Sequence, residues 1–110
     1  MSRIVRKQLL SILKSLKEAN QELENMTYEE HGEEMTALLT ECQEAAITMG
    51  NEIEAVYGMG YGTVRCLEEY CETIYHIAEY AGSPEESIKY RVQAGGQLAA
   101  AERLLEEEIP

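Results

Sequence analysis

Residues 5–26 read VRKQLLSILKSLKEANQELENM, and the spacing of their apolar members decides the fold class. Val5, Leu9, Ile12, Leu16, Ala19, Leu23 and Met26 follow one another at intervals of 4, 3, 4, 3, 4 and 3 residues. An interval averaging about 3.5 places them on one stripe of an α-helix, and such a stripe is stable when buried against other helices. The ladder returns twice. Leu39, Cys42, Ala46, Met49, Ile53 and Val56 are spaced 3, 4, 3, 4 and 3, and Val64, Leu67, Cys71, Ile74, Ala78 and Ala81 repeat that order. Leu10 and Leu13 widen the first stripe beyond a two-stranded seam, which suits a bundle better than a coiled coil.

The rest of the chain agrees with helix. Its 110 residues are enough for one domain with a single core. There is no Trp and no Phe, and all 21 acidic residues are Glu, a better helix former than Asp. Helices are predicted at 2–25, 28–57, 64–81 and 84–108, in an all-α, antiparallel up-down four-helix bundle that dimerisation could complete. Thr27 and Glu30 form a capping-box pattern, in which the threonine accepts from the backbone three residues on and the glutamate reaches back. Gly32 sits where a break near the start of that helix is conceivable. Gly58, Gly60 and Gly62 mark a turn. Thr63 is the expected N-cap of the third helix and Gly82 the residue that ends it. Ser83, Pro84 and Glu86 start the fourth. That helix is the least regular. Its expected face is Ile88, Val92, Leu98, Ala101 and Leu105, interrupted by Gly95-Gly96. With the neighbouring alanines this pair makes a small-residue surface for close helix approach, within the monomer or across a dimer, with a hinge as the alternative.

The net charge of −12 argues against nucleic acid, whose phosphates must be neutralised by Lys and Arg, and against anionic membranes. The charge is unevenly placed. Residues 1–17 hold Arg3, Arg6, Lys7, Lys14 and Lys17 and no acid, whereas 18–64 hold eleven Glu and no Lys or Arg. The basic half of the first helix is therefore expected beside the acidic second, rather than on a membrane. The start has no signal-peptide pattern and no segment is long enough to cross a bilayer. With three cysteines expected to be reduced, two of them on buried ladders, these features predict a cytoplasmic protein.

No constellation for chemistry stands out. His76 follows Glu72 by one turn, but the Glu-x-x-His repeats of di-iron bundles do not occur. As a phosphotransfer histidine it would have Glu79 opposing the phosphate. His31 lies in an acidic stretch beside Gly32. The sequence Gly58-Met59-Gly60-Tyr61-Gly62 follows a helix rather than a strand and carries no cation, so it reads as a turn and not a phosphate cradle. Cys66 has no histidine placed to activate it. No catalytic, cofactor or metal residues are assigned. The candidate interface residues are Tyr61 at the loop tip, Gly95, Gly96, Leu10 and Leu13.

One stretch resembles a known group. Glu41-Cys42-Gln43-Glu44-Ala45-Ala46, Gly58, Gly60 and Leu67-Glu68-Glu69-Tyr70-Cys71-Glu72, within Leu38 to Tyr80, resemble the N-terminal helical region of Gram-positive bacterial proteins. In those proteins the helices precede a CDP-glycerol glycerophosphotransferase-like domain of the teichoic-acid type. The resemblance implies a parent enzyme whose chemistry lies downstream, so no catalytic residue carries over. The ending at Ile109-Pro110, after a Glu run, suggests a piece taken from the N-terminus of a longer protein. The expected function is a non-catalytic oligomerisation or protein-interaction module, with a second copy or the downstream domain as partner. The first two helices, about 35–45 Å long, should overhang the shorter third and expose apolar surface to that partner. The alternative is a stand-alone bundle that binds a ligand, a metal or a regulatory partner.

Overall fold

The computed structural model describes residues 2–109, and the side chains of 6–109. Val5, the first rung of the opening ladder, and Arg3 fall outside the described side chains, and Pro110 falls outside the described residues. Four helices follow in order: α1 (Ser2–Glu24), α2 (Tyr28–Tyr57), α3 (Gly62–Glu79) and α4 (Pro84–Glu108). The connections of three or four residues are too short to run back along a helix, because an extended chain covers at most about 3.6 Å per residue. Successive helices are therefore antiparallel. Each packs on the next, α4 closes against α1, and among the described residues no Cα atoms of the diagonal pairs come within 8 Å. The result is an up-down bundle of 45 × 19 × 18 Å.

The α2 ladder is buried as expected from Leu39 to Ile53, and the α1 ladder in part, since Leu13 and Asn20 stand as buried rungs beside Ile12 and Ala19. Leu9, Leu13, Leu16 and Leu23 fill the α1 side of the core, with Ile12 and Ala19 at its edge. On α2 the buried set is Met35, Leu39, Cys42, Ala46, Met49 and Ile53, and the ladder ends there, with Val56 exposed. Helix α3 is turned further. Thr63, Leu67, Tyr70, Thr73, Ile74 and Ile77 are buried, Cys71 is half-buried and Ala78 is exposed. The reason is that α3 lies between α2 and α4, so its buried arc is wider than one ladder and shifts toward α4.

Helix α4 departs most from expectation. Its buried stripe is Ser87, Arg91, Ala94, Leu98, Ala101 and Leu105, spaced 4, 3, 4, 3 and 4. Ile88 and Val92, expected inside, are 57% and 64% exposed. The N-terminal half of α4 is thus turned by one residue, about 100°. A buried polar anchor, Arg91, sets its phase in place of the apolar side chains beside it.

The helix ends differ from expectation in four places. Thr27 Oγ1 accepts from the Glu30 N–H at 3.3 Å, as expected, but Glu30 does not reach back. His31 does: its Nδ1 accepts from the Thr27 N–H at 3.4 Å. The kink of α2 falls at His31 (φ −129°, ψ 27°), not at Gly32. Helix α3 starts at Gly62 with Tyr61 in the N-cap position, so Thr63 lies inside the first turn. Ser83 is the N-cap of α4, yet its side chain makes no capping bond. Positive φ occurs at Gly58 and Gly60 and not at Gly82, so α3 ends through Tyr80 without a left-handed glycine.

Candidate functional site

Two side chains of α4 reach the ends of other helices. Arg91 is 6% exposed. Its Nη1 donates to the carbonyl of Leu23 at 2.9 Å and to that of Met26, and its Nε donates to Ser87 Oγ at 3.0 Å. The last turn of α1 contains no basic residue. Arg91 therefore supplies, from a distant part of the chain, both the donors and the positive charge that a helix C-terminus favours. Glu108 does the converse at α3. Its carboxylate accepts from the N–H groups of Gly62 and Thr63, both at 2.9 Å, and from Thr63 Oγ1 at 2.8 Å. Burial raises the Glu108 pKa, but these three hydrogen bonds outweigh it and hold the group below the ordinary carboxylate value. Neither role was read from the sequence. A signal existed: continuing the ladder back from Leu105 and Leu98 at alternating steps lands on Arg91 and Ser87.

These contacts build the bundle without offering a reactive group. Cys42, Cys66 and Cys71 are free thiols. Burial pushes each of them up, with nearby glutamates adding to the effect, so none is poised as a thiolate. The Tyr70 hydroxyl is buried beside Cys42 and has no hydrogen-bond partner of good geometry. His76 sits 4.0 Å from Glu72 and 3.9 Å from Glu79 and stacks on Tyr90, which stacks in turn on Tyr80. This ring column joins the end of α3 to α4. Among the described residues, no three metal-ligating side chains are grouped to hold an ion, and no helix is long and apolar enough to cross a membrane.

The residues picked from sequence as an interface separate into two groups. Leu13 is fully buried and Leu10 is half-buried against the core, so these two do not form an exposed apolar patch. Tyr61 is half-buried, packed edge-on to Tyr57 with ring centres 6.4 Å apart. Among the described residues no cation of α1 pairs with α2. Among the described residues the ion pair from α1 is Lys17 with Glu102 of α4, at 3.1 Å. Gly95 and Gly96 divide in purpose. A Cβ on Gly95 would lie 3.4 Å from Asn20 Nδ2 and 3.5 Å from Glu24 Oε1, so this glycine admits α1. A Cβ on Gly96 would meet nothing within 4 Å.

Gly96 belongs instead to the outer face of α4. At 100° per residue, Glu85, Ile88, Val92, Gly96, Ala99 and Arg103 share an arc of about 80°. All six are exposed, and neither Glu85 nor Arg103 forms an ion pair among the described residues. Two large apolar side chains, two small positions and an unmatched pair of opposite charges thus lie in line. No protein-family model, curated protein or solved structure matches the chain.

Proposed function

We propose that this chain is a non-catalytic assembly module whose copies associate through the outer face of α4. The observation that carries the reading is the exposure of Ile88 and Val92, one turn apart, in line with Gly96 and Ala99. Isolated exposed apolar residues are ordinary, but a continuous helical strip of them marks a contact surface. A second copy is the occupant because the strip carries both halves of a contact on one helix: large side chains toward its start and small ones toward its end. The likeness of residues 38–80 to helices that precede a glycerophosphotransferase-like domain supports placing the module beside such an enzyme, and that part of the proposal rests on sequence likeness alone.

The test is molar mass by light scattering across a concentration series. One helix per copy makes a small interface, so association in the micromolar range is expected. The wild-type mass should rise from 12.4 kDa toward twice that value, and Val92→Glu should hold it at the lower one. A wild-type mass that stays monomeric up to about 1 mM, where the association energy falls to roughly 4 kcal/mol, defeats the proposal.

A further inference from the structure

The outer face of α4 points to one register for the pair. Resting on the self-association just proposed, we infer that two copies meet α4 to α4 in antiparallel order, about a two-fold axis that runs between the two helices at the level of Gln93 and Ala94. Such an axis places residues equally distant from it on the two chains side by side. Val92 and Gly96 lie two residues to either side of Ala94, so the Val92 side chain of each copy enters the notch at Gly96 of the other. Ile88 comes beside Ala99 on the same edge of the strip. Glu85 and Arg103 lie nine residues to either side of Ala94, about 13 Å along the axis, so each end of the seam closes with a Glu85–Arg103 pair between copies.

Three features select this arrangement over others. In a parallel pair, large residues would face large ones at 88 and 92 and leave a gap at 96 and 99. Like charges would also meet, Glu85 on Glu85 and Arg103 on Arg103, and like-charge contacts act against a wrong partner. The antiparallel order matches large to small and negative to positive in the same register. The second feature is Gly96 itself. Glycine inside an exposed helix is unfavourable, and nothing in the monomer approaches this one within 4 Å, so the packing of the single chain does not account for it. A close approach by another helix does. The third is closure: a two-fold seam uses the same patch on both copies, so assembly stops at two.

The experiment uses the full chain with three substitutions, Gly96→Leu, Glu85→Arg and Arg103→Glu, read by light scattering and thermal melting. Gly96→Leu should abolish the dimer and raise the melting temperature of the monomer, because it adds helix propensity where there is open space. Glu85→Arg alone and Arg103→Glu alone should each weaken the dimer by roughly tenfold or more, since two rim pairs turn from attraction to repulsion. An equimolar mixture of these two variants should regain the dimer, because each copy then presents the charge that the other lacks. A dimeric wild type with a dimeric Gly96→Leu overturns the register and leaves self-association standing through another face. A mixture that stays as weak as its components also overturns it. A monomeric wild type overturns both readings together.

Discussion

Replacing Arg91 tests whether α4 is held by a polar anchor. In Arg91→Met the aliphatic stem keeps most of its packing while the guanidinium and its hydrogen bonds to Leu23, Met26 and Ser87 are lost. Hydrogen bonds from a charged donor contribute about 1.5–3 kcal/mol each, and a buried carbonyl left without a donor costs about 1–3 kcal/mol. The two carbonyls are not equivalent. The contact to Leu23 is buried, whereas that to Met26 is only partly so, and Met26 also lines an open cleft with Tyr28 and Ile88. Water can replace the donor at Met26, and the Leu23 carbonyl keeps the Met26 N–H at 3.2 Å as a second donor, so the loss comes mainly from the charged hydrogen bonds themselves. Freeing a long side chain returns some entropy. The net loss should be about 2–4 kcal/mol, a fall in melting temperature of roughly 10–20 °C for a domain of this size. The assay is urea and thermal unfolding followed by helix circular dichroism, at fixed protein concentration so that association does not shift the midpoint. Ser87→Ala, which removes one neutral partner, should cost about 1 kcal/mol. If Arg91→Met lies within about 0.5 kcal/mol of wild type, the anchor is not what sets the phase of α4.

Other substitutions probe separate links. Glu108 is held below the ordinary value of 4.5, so its contribution is complete above that pH and disappears as pH falls through the lower folded value. Glu108→Gln should therefore flatten the acid limb of a stability–pH profile below about pH 4.5 and lower the neutral plateau by about 1 kcal/mol. An acid limb of unchanged slope would contradict the capping role. Gly58 has φ +103°, so Gly58→Ala should lose about 1–2 kcal/mol from left-handed backbone strain, whereas Gly82→Ala, with no positive φ and nothing within 4 Å, should be neutral or slightly stabilising. Equal effects at the two sites in denaturant titrations would count against the turn geometry. Tyr70→Phe removes a buried hydroxyl that has no partner of good geometry, so unfolding should show a change between about zero and a gain of 1 kcal/mol. A loss above 1 kcal/mol would mean that the contact with Cys42 is a real hydrogen bond.

What could be read from sequence followed from periodicity, and what could not followed from distance along the chain. The ladders of α1 and α2 use apolar residues at nearly every buried position, so stripe and core coincide. On α4 the buried stripe begins with Ser87 and Arg91, two residues that hydropathy assigns to solvent, while Ile88 and Val92 beside them are exposed. A search for apolar residues therefore rotates the helix by one position. The N-terminus of α3 was misplaced for a related reason. Thr63 looks like a local cap, but its own N–H and hydroxyl donate to Glu108, 45 residues away, and the helix begins one residue before it. The surface glycines were legible as small and not as separate in purpose, because only the packed bundle shows that Gly95 faces α1 and Gly96 does not. Leu13 is fully buried and Leu10 is packed against the core, which agrees with their widening the stripe for a bundle.

The two long reaches of α4 have a consequence for the order in which the molecule can be completed during synthesis. The carbonyl of Met26 and the second lone pair of the Leu23 carbonyl wait for a donor at position 91, and the amides that begin α3 wait for an acceptor at position 108. A chain emerging N-terminus first thus carries three helices whose ends lack these two partners until α4 docks. Arg91 and Glu108 lie about 25 Å apart along α4, so one docking event seals both ends of the bundle. A nascent chain halted before residue 91 should hold its helices loosely and exchange their terminal amides freely. A chain extended past residue 108 should protect them in a single step.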